Sequence, residues 1–182
     1  MAAGSAPVVA TLGSVAVNYA GAEAFFRDCL AASRKVGRRA VLLVGERVDL
    51  ALRDLGGGDF LVRRYVPHSQ IFPHAAVIVH QGGVGTLAQA LRAGRPQLVV
   101  PFYGDQFDNA DRASRLGVGR WIHYRRLDTT TAAEAFGRLL QESSYAERAR
   151  EVATQMAGQH GAQRAAQLVR RFLDSGTIVQ PP

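Results

Sequence analysis

The sequence has very little cysteine and no long apolar run. Cys29 is its only cysteine, so no intrachain disulfide can form, which fits a reducing compartment. No apolar segment approaches the roughly 20 residues that a membrane-spanning helix needs. The first residues, MAAGSAPVV, lack the basic segment followed by an apolar stretch that marks a signal peptide. These absences predict a cytoplasmic protein and argue against a secreted, disulfide-rich domain or an integral membrane protein.

Lysine is nearly absent too. Lys35 is the only lysine among 22 basic residues, and the formal net charge is +7. Two interpretations are open: attraction to a polyanion or to the anionic inner face of a membrane, or an arginine-rich surface that is simply solvated. No basic run and no alternation of basic and aromatic residues occurs, which favours the solvated surface and predicts no nucleic-acid partner. The charge would still favour a phosphorylated ligand.

The 182 residues suffice for one well-buried domain, and short apolar segments alternate with segments of helical period. Strands are predicted over 7–13, 39–45, 59–66, 75–80, 97–101 and 119–123. Helices are predicted from about 22, over 48–55, 84–93 and 106–116, and from about 128 onward. This alternation predicts a single Rossmann-like α/β domain, with a parallel sheet of about six strands and helices on both faces. We assign residues 7–174 to the domain, 1–6 to a leader and 175–182 to an irregular tail.

The last predicted helix carries an apolar stripe. Its members share one helical face: Ala162, Ala165, Ala166, Val169, Phe172 and Leu173. A stripe of this kind is expected to be buried against another surface.

The segment HQGGVGT at 80–86 joins the fourth predicted strand to a helix. Backbone N–H groups at a helix start have no intrahelical partner, so a glycine-rich turn there favours an anion. The segment has neither the Gly-Lys-Ser/Thr of a Walker A loop nor the G-x-G-x-x-G spacing of a dinucleotide site. His80 is predicted to donate a ring N–H to a phosphate, as a stabiliser of the leaving group. The alternative is a capping histidine that only bonds a nearby carbonyl.

Other polar side chains follow neighbouring strands, where the carboxyl ends of a parallel sheet gather ligands. Asp105 and Gln106 offer acceptors and donors that suit the vicinal hydroxyls of a sugar, although Asp also favours the helix cap. Tyr65 could stack on a base, or it could serve only in packing.

HQGGVGT and the following LRAGRPQLVVPFYGDQFDNADRASRLGVG together resemble the donor-binding signature of family 1 glycosyltransferases with the GT-B fold. That group uses nucleotide sugars and includes macrolide, sterol, rhamnolipid and plant natural-product enzymes. The resemblance extends from ATLGS to the last helix and is greatest to bacterial members. It implies the C-terminal half of a GT-B fold.

The resemblance implies a role for each matching position. The diphosphate would be held by His80, Gly82, Gly83, Val84, Gly85 and Thr86, with Gly13 and Ser14 lining its pocket; Tyr65, Val66 and His68 would hold the base; and Asp105 and Gln106 would bond the donor sugar. Plant enzymes carry Trp, Gln and Glu where this sequence has Tyr65, His68 and Ala88. These departures leave the choice between UDP and dTDP open.

The resemblance further implies the donor-binding half of an inverting hexosyltransferase that uses a UDP-sugar or dTDP-sugar and no cofactor. No Asp-x-Asp pair occurs and Cys29 has no partners at ligand spacing, so no metal is expected. The catalytic base is expected in an N-terminal acceptor domain that this sequence does not resemble. We expect a domain of a longer enzyme, because MAAGSA resembles a short leader, and one that alone binds UDP or dTDP weakly and transfers little.

Two alternatives belong to other classes. The chain could be a non-catalytic nucleotide-sugar-binding subunit of a split glycosyltransferase, which needs a separate, membrane-attached acceptor-binding partner. It could also be a nucleotide-sugar epimerase, which shares the architecture. The epimerase is disfavoured because no evident pair of acid and base carboxylates lies near the glycine-rich loop.

Overall fold

The computed structural model describes residues 4–14, 20–45 and 58–175. Its sheet has six parallel strands in the order β3-β2-β1-β4-β5-β6. The strands are β1 (Val8–Thr11), β2 (Ala40–Leu43), β3 (Phe60–Arg63), β4 (Val77–His80), β5 (Gln97–Val99) and β6 (Gly119–Trp121). The predicted parallel sheet of six strands is confirmed, and each strand ends before or at its predicted limit.

The described helices are α1 (Ala22–Lys35), α2 (His68–Ile71), α3 (Val84–Ala93), α4 (Gln106–Arg115), α5 (Thr129–Gln141), α6 (Ser143–Ala157) and α7 (Gly161–Ser175), with 3-10 turns at Phe72–His74 and Tyr124–Arg126. The predicted helix at 48–55 lies outside the described residues, as does 176–182. The sequence did not predict α2, since its four residues are too few to show a helical period.

Helices cover both faces of the sheet. On one face α1 and α5 bury Phe26, Leu30 and Phe136 against the inward side chains of the strands. On the other face Phe72 and Ala90 contact Val9, Val41 and Ile78, while α4 and α6 form a second cluster with Val99. Covering on both sides explains why the central strands are continuously apolar.

The strand order reverses direction between β1 and β4. The chain adds β2 and β3 on one side of β1, then returns to place β4, β5 and β6 on the other side. Connections that diverge in this way leave a crevice beyond the carboxyl ends of the two central strands, where ligands of open α/β sheets bind. The glycine-rich turn follows β4 and the Gly13 turn follows β1, so both border this crevice.

The apolar stripe of α7 is open within the part of the chain that the structure describes. Val169, Phe172 and Leu173 are 59%, 45% and 74% exposed. The expectation that this face is buried is therefore not met by the described residues. None of the helices in those residues is both long and apolar enough to span a bilayer.

Candidate functional site

His80 ends β4 and is completely buried. Its Nδ1 accepts the backbone N–H of Gly82 at 3.0 Å, so the ring proton resides on Nε2 and is donated to Gln97 Oε1 at 2.9 Å. Burial is the main cause that lowers the pKa of the imidazole to about 4; the hydrogen bond to Gln97 acts in the opposite direction, and the nearby His68 lowers the pKa further. His80 is therefore a neutral ring of fixed tautomer at physiological pH.

These hydrogen bonds are not the one that the predicted role of His80 requires, which is donation of a ring N–H to a phosphate. Both ring nitrogens are engaged inside the protein, so the ring has no N–H left for a phosphate in this structure. The arrangement is closer to the alternative of a structural histidine, with a backbone N–H and a side-chain carbonyl as partners. The ring acts on the turn through Gly82, whose φ of 90° lies in the left-handed region that favours glycine.

The turn after β4 leads into an uncapped helix. Gly83 is the N-cap of α3, and no side chain in the described part of the chain caps that end. Val84 is 70% exposed, and a Cβ on Gly85 would meet nothing within 4 Å. Thr86, in the first turn, is almost buried. The first amides of α3 therefore have no side-chain cap among the described residues, and the surface around Val84 and Gly85 is open, as an anion site requires.

The Gly13 turn approaches this helix from β1. Gly13 has a φ of 63°, and a Cβ built on it would come within 3.4 Å of Thr86 Oγ1 and 2.4 Å of Gln81 Nε2. A Cβ on Gly83 would also meet Gln81 Nε2, at 2.7 Å. Gln81 therefore fills the space between the two turns. Ser14 follows Gly13 on the same turn.

Gln81 was missed by the sequence reasoning. It is 6% exposed, and its Oε1 has no hydrogen-bond partner among the described residues. Its place directly after His80, as the only amide side chain in a run of glycines, was the available signal.

The loop after β5 holds Asp105 and Gln106, which the sequence predicted as sugar contacts. Gln106 is 3% exposed, and its Oε1 accepts the backbone N–H groups of Phe102 and Tyr103 at 2.8 and 3.3 Å. That oxygen holds its own loop, so it is not available to a sugar hydroxyl. Asp105 is exposed and makes no side-chain cap to α4, which leaves its carboxylate accessible.

Asn109 is a second residue that the sequence reasoning missed. Its Nδ2 donates to the carbonyl oxygen of Gly82 at 2.9 Å and to Asp105 Oδ2 at 3.1 Å. This one side chain joins the glycine-rich turn to the sugar-side loop. Its position four residues after Asp105, on one helix face, was the signal in the sequence.

The residues predicted to hold a base follow β3. Tyr65 is 75% exposed, so it does not serve in packing among the described residues. Val66 packs at the edge of the core, and His68 stacks on Phe72 with ring centroids 4.4 Å apart. Burial lowers the pKa of His68. An exposed ring is available for stacking on a base.

Sequence comparison relates the chain to known proteins. The family described as erythromycin biosynthesis protein CIII-like, C-terminal domain, matches residues 28–171. An uncharacterized UDP-glucosyltransferase, YojK, of Bacillus subtilis is 31% identical over 78% of this chain and 35% of its own length. The O-mycaminosyltylonolide 6-deoxyallosyltransferase of Streptomyces fradiae is 31% identical over 100% of this chain and 42% of its own.

Solved structures give the same relationship. The glycotransferase of kitacinnamycin superposes with a TM-score of 0.81 at 28% identity, over 94% of this chain and 44% of that one. The spinosyn rhamnosyltransferase SpnG, complexed with thymidine diphosphate, has a TM-score of 0.79 at 26% identity, over 91% and 45%. The chain thus spans less than half the length of these relatives. The chain belongs to the family of erythromycin biosynthesis protein CIII-like C-terminal domains, the C-terminal half of family 1 glycosyltransferases with the GT-B fold.

Proposed function

We propose that this domain binds a nucleoside diphosphate sugar and forms the donor-binding half of an inverting, metal-independent hexosyltransferase. The observation that carries the proposal is the uncapped start of α3 behind a glycine turn, in the crevice between β1 and β4. The relatives support the donor class, since one is named a UDP-glucosyltransferase and another was solved with thymidine diphosphate.

The diphosphate lies, in this proposal, over the amides of Gly83, Val84, Gly85 and Thr86. The helix dipole contributes roughly 0.3–1 kcal/mol to an anion at that position. Gly13 and Ser14 close the opposite side. His80 stabilises the leaving diphosphate indirectly, because it holds the Gly82 amide and the shape of the turn.

The base and the sugar lie on either side of the diphosphate. Tyr65, Val66 and His68 bind the base beyond β3, where the exposed Tyr65 ring is available for stacking. Asp105 accepts hydrogen bonds from sugar hydroxyls, and Gln106 keeps the Asp105 loop in place through its two backbone bonds.

In the proposed reaction, an acceptor hydroxyl attacks the anomeric carbon from the face opposite the nucleotide. The new bond joins the acceptor oxygen to that carbon, and the bond from the carbon to the phosphate oxygen breaks. The acceptor proton passes to a base in the acceptor-binding half. The unpaired amides of α3 stabilise the negative charge that develops on the diphosphate. No metal is needed in this proposal, because these amides and the overall charge of +7 supply the electrostatic stabilisation.

Calorimetric titration of the chain with UDP, dTDP, GDP and NAD tests this function. We expect weak binding of UDP or dTDP, little binding of GDP and none of NAD. The better ligand of the first two identifies the base. Binding of NAD alone would overturn the assignment.

A second proposal is that the chain acts as the nucleotide-sugar-binding subunit of a split, cytoplasmic glycosyltransferase. The observation that favours it is the open face of α7, which offers an apolar surface to an acceptor-binding partner at the membrane. Light scattering of the chain, alone and with an acceptor-binding half from a relative, tests it. A stable one-to-one complex that is lost on Phe172→Glu supports it, and a mixture that stays monomeric contradicts it.

A further inference from the structure

Gln81 is a buried carboxamide placed between the two turns of the diphosphate site. Its Nε2 lies so close to Gly13 and Gly83 that a Cβ on either glycine would meet it at 2.4 or 2.7 Å. The two turns come from different strands, β1 and β4, and this amide is a point that both approach. Thr86 Oγ1 borders the same space, 3.4 Å from a Cβ on Gly13.

The carboxamide oxygen lacks a hydrogen bond. Gln81 is 6% exposed, and its Oε1 finds no partner among the described residues. The oxygens of two neighbouring glutamines behave differently: Gln106 Oε1 accepts two backbone N–H groups, and Gln97 Oε1 accepts from His80. A buried carbonyl without a partner is destabilising, so an apolar side chain of the same length would serve packing better.

We propose, building on the donor-binding function above, that the Gln81 carboxamide binds the nucleotide sugar where the diphosphate meets the sugar. Its N–H donates to a phosphate oxygen, and its Oε1 accepts from a sugar hydroxyl. A diphosphate has only acceptors, so the oxygen of Gln81 needs a donor from another part of the ligand, and in this proposal a hydroxyl of the transferred sugar supplies it. The terminal torsion of a glutamine is broad, which lets the amide turn toward the ligand without disturbing the backbone.

The N–H group and the oxygen of the Gln81 carboxamide predict different effects on the binding of two ligands. Loss of the N–H weakens the binding of both the nucleoside diphosphate and its sugar conjugate. Loss of the oxygen weakens the binding of the sugar conjugate alone. Gln81 therefore contributes to the preference of the site for a nucleotide sugar over the free nucleotide.

The test is calorimetric titration of the full chain, wild type and Gln81→Met, with UDP and UDP-glucose, or with dTDP and dTDP-glucose if those bind better. We expect Gln81→Met to bind the free nucleotide about tenfold more weakly, the usual scale for one hydrogen bond to a charged group. The affinity for the sugar conjugate should fall by a larger factor. Gln141→Met, at an exposed position at the end of α5, should bind both ligands as the wild type does.

A thermal melt separates this role from a structural one. Because Gln81→Met removes an unsatisfied carbonyl, it should melt at or above the wild-type temperature. Should Gln81→Met fail to fold, the near-isosteric Gln81→Glu takes its place, and its carboxylate beside the diphosphate should weaken UDP at least tenfold. A folded variant that binds both ligands as the wild type does overturns the role of Gln81. Failure of the wild type to bind any of these nucleotides instead overturns the donor-binding function itself.

Discussion

The side chain of Asn109 on α4 donates a hydrogen bond to the carbonyl oxygen of Gly82, at 2.9 Å. The same nitrogen reaches Asp105 Oδ2 at 3.1 Å. A single amide thus fixes the distance between the turn that is proposed to hold the diphosphate and the carboxylate that is proposed to hold the sugar. If both proposed roles hold, binding of a nucleotide sugar should depend on that distance, whereas binding of a free nucleotide should not.

The substitution Asn109→Leu should affect the binding of these two ligands differently. The Gly82 carbonyl loses its partner, and we expect a loss of stability of about 1–3 kcal/mol together with weaker binding of UDP-glucose or dTDP-glucose. The free nucleotide should bind nearly as before. Chemical unfolding and calorimetry measure the two effects. Thr154→Val removes an exposed hydrogen bond on α6 and should change neither. An equal loss of affinity for both ligands would show that Asn109 does not set the spacing between the Gly82 turn and Asp105.

Gly85→Glu should block the diphosphate without harming the fold. The position is open, since a Cβ there meets nothing within 4 Å, and acidic side chains stabilise the first turn of a helix. The new carboxylate would occupy the region proposed for the phosphates. We expect an unchanged or higher melting temperature and a loss of nucleotide binding of at least tenfold in calorimetry.

The matched control for this charge is Gly137→Glu in α5, where a Cβ also meets nothing within 4 Å. It adds the same charge away from the crevice and should bind nucleotide as the wild type does. Normal binding by Gly85→Glu would place the anion elsewhere.

Tyr65→Ala should weaken binding without destabilising the protein. The ring is 75% exposed, so its removal should change the free energy of unfolding by less than about 0.5 kcal/mol. Loss of a stacked base should weaken UDP or dTDP roughly tenfold. Tyr65→Phe keeps the ring and should bind normally. Trp121→Ala, at a 41% exposed aromatic residue on β6, serves as the control. A Tyr65→Ala protein that binds like the wild type would remove Tyr65 from the base site.

Acid should destabilise the fold through His80. Its pKa is near 4 in the native protein, against an ordinary value of 6.5. Between these values the unfolded chain takes up a proton that the native chain refuses, so stability falls as pH drops from about 6.5 to about 4. The loss from this residue is on the order of 3 kcal/mol. The lowered pKa of His68 acts in the same direction.

Urea unfolding at several pH values measures this dependence. His80→Gln should be less stable at neutral pH but should show a shallower decline toward pH 4. The exposed His160→Gln should keep the wild-type decline. A decline of equal steepness in His80→Gln would mean that the imidazole is not the group that titrates.

The sequence predicted the sheet and the glycine turn because both depend on local patterns. Apolar strands alternate with helices, and the predicted helix 84–93 matches α3 at both ends. Strand ends were predicted less well. Residues such as Gly13, Tyr65 and Val66 follow their strands without a break in composition, yet they leave the sheet to form the turns of the site.

The hydrogen bonds of the site were not accessible from the sequence, because their partners are distant along the chain. His80 bonds Gln97 on the next strand, and Asn109 reaches back to Gly82. A histidine beside glycines has the same appearance whether its ring faces a phosphate or a buried amide. Only the register of β4 against β5, which pairs His80 with Val99, brings Gln97 within reach of the ring.

The close approach of Gln81 to both Gly13 and Gly83 has a consequence for domain engineering. Consider a chimera that imports the segment after β4 from a homologue but keeps its own segment after β1. The residue at position 81 would then come from one protein and the residue at position 13 from the other, and the two need not fit together. A bulkier residue at either glycine would collide with the amide, and a smaller residue at 81 would leave a void. Loop grafts intended to alter nucleotide preference should therefore exchange positions 13, 81 and 83 as one set.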